Sequence, residues 1–149
     1  MNNIIGIDVG QNGAAVMICE NSWIDVFRFK NATETDICNF LQEHSATFRD
    51  DIFVYLEQVH SMPKQGVASC FDFGKSYGFI TGCLTALQMP FELVTPQKWQ
   101  KALNCQTKGD KNITKSKAQQ LFPNRKWTHA DADAVLIAEY GRRKQKGVL

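Results

Sequence analysis

Apolar and polar positions change rhythm several times along this chain. The runs IIGIDV, AAVMIC and WIDVFRF are short, rich in β-branched and aromatic residues, and separated by GQNG and ENS, a pattern that predicts a three-stranded meander. NATETDICNFLQEHSATF then shifts to helical spacing. Ile37, Phe40 and Leu41 form one apolar stripe behind Thr33 as the capping residue, with Asp36 placed to complete a capping box. DIFVYLEQV is apolar on both faces, as a central strand covered on two sides should be. HSMPKQGVASC reads as a polar loop, and FDFGKSYGFITGCLTALQM as a helix in which Gly74, Gly78 and Gly82 share one edge. Glycine costs about 1 kcal/mol in a helix interior, so close packing on that edge is expected, either against the sheet or against a second copy of the chain. FELV predicts a short strand. TPQKW opens a helix with Pro96 in its first turn, a basic helix over 110–121 ends before Pro123, and THADADAVLIAEYGRR forms the last helix. Three strands, a helix, then strands alternating with helices make an α/β domain over 1–149: a mixed sheet flanked by helices on both faces.

Composition narrows the class without choosing a function. The chain has 149 residues, 44% of them hydrophobic and 21% charged, as in ordinary globular proteins. No apolar run approaches the roughly 18 residues of a membrane span, and no signal-like segment opens the chain, so a cytoplasmic protein is expected. Five cysteines without close spacing favour reduced thiols over a zinc site or a disulfide framework. The net charge of +2 names no partner, but its distribution says more. Between Lys98 and Lys117 six lysines face a single acid, Asp110, and a second basic cluster, GRRKQKG, closes the chain. Such clustering suits a face that meets phosphates.

The candidate chemistry lies in acids set in apolar surroundings. Asp8 sits inside the first strand and Glu57 near the end of the central one, while Asp131 and Asp133 open the last helix. A carboxylate within a strand costs several kcal/mol unless something satisfies it. Three separated segments that each deliver a hard oxygen donor suit Mg²⁺, with Mn²⁺ as a substitute. Two such ions would activate a water and stabilise the leaving oxygen of a phosphodiester.

GIDVGQNGAAV, YLEQV, FGKSYG, VTPQKWQKAL and HADADAVLIAEYG occur in the order seen in RuvC-type Holliday junction resolvases, and the chain resembles the phage-encoded branch of that family over almost its whole length. The resemblance implies an RNase H-like five-stranded fold, a homodimer, and Mg²⁺-dependent paired nicks in four-way and related branched DNA. It would place the protein in the host cytoplasm if it is phage-encoded. It assigns Asp8, Glu57 and Asp133 as metal ligands. The family's fourth group stands three or four residues before the last ligand, where this chain has Ala130 and His129. At about 100° per residue, His129 lies roughly 40° from Asp133 and Asp131 about 200° away, which favours His129. Asp131 stays open if the helix starts after it. Gln58, His60 and Lys64 fall near the expected crossover point, with Phe71 and Phe73 as stacking candidates or core residues. Lys75 of FGKSYG and Lys98, Lys101, Lys108, Lys111 and Lys115 match positions that meet DNA, and Lys111 is placed to approach the scissile phosphate. An RNase H-like RNA-processing nuclease, or a junction-binding protein with weakened catalysis, would share much of this pattern. A sugar-kinase or actin-like ATPase shares the GID.G opening but needs two lobes and a second glycine-rich loop.

Overall fold

The computed structural model describes residues 1–59 and 64–149. The elements run β1 (Asn3–Asp8), β2 (Ala14–Ile18), β3 (Ile24–Arg28), α1 (Glu34–Phe48), β4 (Ile52–Glu57), α2 (Val67–Ala86), β5 (Phe91–Val94), α3 (Pro96–Ala102), α4 (Asn112–Leu121) and α5 (His129–Gln145). The strands form one mixed sheet in the order β3-β2-β1-β4-β5. The meander β1–β2–β3 is antiparallel, whereas β4 and β5 join it in parallel.

Strand alternation divides the core into two layers. Ile4, Val16 and Tyr55 face α5, together with Trp99, Trp127 and the apolar side of α5 from Ala132 to Tyr140. Ile5, Ile7, Met17 and Val54 face the opposite layer, where Phe40 and Leu41 of α1 meet Ile80 and Leu84 of α2. The expected capping box is present: the Thr33 side chain accepts from Asp36 N, and Asp36 reaches back to Thr33 N. Thr95 and Pro96 start α3 as their residue types predict.

Two expectations need correction. VASC is the first turn of α2 and not part of the preceding loop, because extended Gly66 serves as its N-cap without a side-chain hydrogen bond. The edge formed by Gly74, Gly78 and Gly82 is not packed on the sheet. A methyl group added at any of the three would meet nothing within 4 Å. Phe73, Tyr77, Ile80 and Leu84, spaced on the other side of α2, make its core contact instead. Among the described residues, no helix is long and apolar enough to cross a membrane.

Candidate active site

Ile7 pairs with Leu56 across the parallel β1–β4 ladder, so Asp8 and Glu57 follow side by side at the C-terminal ends of the two central strands. Alternation places Asp8 on the face of Ile4 and Gly6, and Glu57 on the face of Tyr55. That is the face covered by α5. Contact there is close because Gly6 has no side chain: a Cβ would collide with the backbone of Ala134 and Ala138. Gly141 repeats the device further along α5, against the Tyr55 ring. Asp133 immediately precedes Ala134, so seating the helix on Gly6 carries its carboxylate to the ends of β1 and β4.

Burial raises all three carboxyls, and neighbouring acids push Asp8 and Glu57 further. Burial pushes the Asp8 carboxyl well above the ordinary range; the charges of Glu57 and Asp133 push it further, and Lys111 opposes them. Among the described residues no hydrogen-bond donor meets the Asp8 carboxylate. Burial raises Glu57 to about 7, opposed by a hydrogen bond from Trp99 and assisted by the Asp133 charge. Asp133 is raised by burial and held back by Thr114, Lys111 and His129. The donor set is therefore all oxygen, crowded, and compensated by one lysine, which is the chemistry that fits Mg²⁺ or Mn²⁺. The carboxylates stand as electrostatic neighbours; among the described residues no three His, Cys, Asp or Glu side chains are already drawn into a metal-holding cage.

A pH dependence of stability follows. An acid whose folded pKa is raised binds more proton folded than unfolded, so stability is lost as pH rises from the unfolded to the folded value. For Glu57 that window runs from 4.5 to about 7, a loss on the order of 3 kcal/mol. In EDTA, native protein should melt roughly 5–10 °C below Glu57→Gln at pH 8 and level with it near pH 4. Equal melting temperatures at both pH values would show that Glu57 carries no such load.

At the start of α5 the two candidates for a fourth group separate. Thr128 is the N-cap and His129 the first helical residue, so Asp131 occupies the capping-box position. Its Oδ1 accepts from Thr128 N at 2.8 Å and from Thr128 Oγ1 at 3.1 Å, while Oδ2 accepts from Arg28 Nε at 2.7 Å. Fully buried and satisfied there, Asp131 ties α5 to β3 and adds no charge to the Asp8 group. In this structure Asp131 serves as a helix cap and an ion-pair partner. His129 is exposed, and its charge acts on Asp133. Asp131→Ala should therefore lower stability by about 2 kcal/mol or more through the lost cap and ion pair, with cleavage by the folded fraction retained. His129→Ala should leave melting unchanged and slow cleavage by about tenfold or more. Stopped-flow cleavage beside thermal melts would reveal the opposite assignment.

The other expected positions that the structure describes lie on several elements. Lys98 and Lys101 are exposed on α3, Lys108 lies on the following loop, and Lys115 is half-buried on α4. Lys75 is exposed on α2 and borders a cleft with Gln11 and Ser76, beside Val9 and Gly10. Gln58 is exposed, with its backbone N–H donating to Val94 O at 2.7 Å. Lys64 is exposed, and His60 lies outside the described residues. Phe71 is 72% exposed, whereas Phe73 packs, partly buried, against the core. The closing basic cluster is partly neutralised within the fold, by Arg142 and Arg143 on Glu139 and by Lys144 on Glu92.

Two site residues escaped the sequence reading. Trp99 Nε1 donates to Glu57 Oε2 at 2.7 Å, and the buried Thr114 hydroxyl lies beside Asp133. The usable signal for the first was a tryptophan, with its polar N–H, in a short helix otherwise rich in lysine and glutamine.

This chain matches RuvC from Thermus thermophilus in complex with a Holliday junction substrate with a TM-score of 0.68, at 15% identity, over 99% of this chain and 98% of that one. The fold is that of the RuvC resolvases. A second Thermus thermophilus RuvC structure matches with a TM-score of 0.65 at 16% identity, over 98% and 97% of the two chains. The yeast mitochondrial Holliday junction resolvase Ydc2 matches with a TM-score of 0.52 at 15% identity, over 97% of this chain and 79% of that one. These are bacterial and mitochondrial proteins, so the likeness reaches RuvC resolvases broadly and does not single out a phage branch. No protein-family model matches the sequence, and no curated protein does.

Proposed function

We propose that this chain is a divalent-cation-dependent endonuclease that cuts branched DNA, four-way junctions above all, by paired nicks. The observation that carries the reading is the convergence of Asp8, Glu57 and Asp133 from β1, β4 and α5 at one end of a RuvC fold, where among the described residues no donor meets Asp8 and Lys111 is the lysine acting on the group. These three carboxylates would hold Mg²⁺, with Mn²⁺ as a substitute and two ions per site. When bound, the ions would supply water activation and charge stabilisation on the leaving oxygen.

The chain's own residues have separable tasks in this scheme. The carboxylates set where cations gather. His129, on the same helix face as Asp133, is placed to exchange a proton at the rim of the site. Lys111 offers its charge to the phosphate being cut, and Lys75, Lys98, Lys101, Lys108 and Lys115 meet phosphates of the arms, which calls for charge more than for a bidentate fork. Exposed Phe71 offers a stacking surface for a base at the crossover. A cytoplasmic homodimer would present two such sites to the two equivalent strands of a junction. The uncovered glycine edge of α2 supports that arrangement, since it is free to receive a second copy.

The test is an end-labelled four-way junction incubated with the protein in Mg²⁺ or in EDTA, beside the linear duplex and an RNA hairpin. Symmetric nicks in the junction alone, absent in EDTA, are expected. Preferential cutting of the RNA, or binding of the junction without any cutting, would replace this reading by an RNA-processing nuclease or by a junction-binding protein respectively.

A further inference from the structure

Glu57 ends β4 with one of its two oxygens already committed. Oε2 accepts the indole N–H of Trp99 at 2.7 Å in the interior, and Trp99 has no exposed surface. The donor is fixed by several elements at once. Val94 lies opposite Glu57 in the β4–β5 ladder, and α3 follows directly, started by Thr95, whose side chain accepts from Lys98 N, and by Pro96. Within its first turns α3 delivers Trp99 beside Glu57. The ring is then locked in the core that also holds Leu103, Cys105 and Val135.

The chemistry of this donor differs from that of the others near the site. An indole N–H donates only, accepts nothing and carries no charge. A lysine or arginine in its place would neutralise Glu57 and repel an arriving cation. A hydroxyl would be free to rotate and to accept as well as donate. The indole can orient the carboxylate while leaving its negative charge in place.

Resting on the nuclease reading above, we propose that Trp99 is a positioning residue for the cation site: it pins Glu57 Oε2 so that Glu57 offers Oε1 alone, as a one-oxygen ligand beside Asp8 and Asp133. Asp8, which no donor meets among the described residues, keeps both oxygens available. The two strand carboxylates thus enter the site unequal, one pinned and one free.

The test uses the full chain with Trp99 replaced by benzothienylalanine, which keeps the bicyclic outline and substitutes sulfur for the N–H. Mn²⁺ binding is followed by electron paramagnetic resonance, and thermal melting is measured in parallel. The replacement is expected to weaken Mn²⁺ binding by about tenfold or more, with the melting temperature close to native. In native protein labelled with ¹⁵N-indole, the Trp99 N–H signal should broaden at lower Mn²⁺ than those of Trp23 and Trp127. This second measurement needs no variant to fold. Native Mn²⁺ affinity in the folded replacement, or a Trp99 signal that responds no earlier than the other two while Mn²⁺ binds, would overturn the positioning role and leave the nuclease reading standing. Failure of the native chain to bind Mn²⁺ at all would overturn both.

Discussion

Asp8→Asn is expected to slow four-way-junction cleavage by more than ~100-fold while leaving junction binding within a few-fold of native. The amide has nearly the same shape, and no protein donor contacts the Asp8 carboxylate among the described residues, so little structure depends on the charge. What disappears is a negative charge that Glu57 and Asp133 already oppose. The same substitution should therefore raise the melting temperature in EDTA and abolish the stabilisation that Mg²⁺ would give the native chain under the proposed function. Loss of cleavage together with a gain in metal-free stability distinguishes a functional acid from a structural one. Near-native cleavage by the variant would remove Asp8 from the site.

Gly6→Ala should be strongly damaging to the fold. Its Cβ would strike backbone atoms of Ala134 and Ala138, which have no rotamer to escape into. A loss of about 3 kcal/mol is expected from overpacking of this kind, read as a fall in the urea midpoint. Cleavage should fall with it even under native conditions, because lifting α5 carries Asp133 away from Asp8 and Glu57. Gly74→Ala is the control for the stability of the single chain, separate from any second copy packed on that edge. Open space surrounds that position, so replacing glycine in a helix should stabilise by up to about 1 kcal/mol. A Gly6→Ala protein as stable as native would mean that α5 has room to shift on the sheet.

The sequence made the strands, the α1 capping box and the three acids legible for one reason: each depends on residues close together in the chain. Asp8 and Glu57 announced themselves as charges in apolar runs, and both stand at strand ends in the fold. What stayed hidden depended on partners far along the chain. The tie from Asp131 to Arg28 spans 103 positions, and nothing local to HADAD shows that the first acid is used by β3. Trp99 and Glu57 are 42 positions apart, so a bond that orients a site acid looked like an ordinary aromatic in a basic helix. The α2 glycines show the limit of spacing from the other side. Their spacing suggested a tight contact, but spacing cannot tell which neighbour, if any, stands opposite.

The seating of α5 on Gly6 also bears on how the protein is made. Asp8 and Glu57 belong to the first half of the chain and can be aligned once β1 and β4 pair, but Asp133 arrives only with the last helix. A chain still being synthesised therefore carries two crowded acids and an uncovered sheet face until residues 129–145 have emerged and docked. Contacts of such long sequence separation form late, because loop closure must precede them. Under the proposed function, the three carboxylates cannot come together before residues 129–145 have emerged and docked, and any cutting that depends on them would wait for that step.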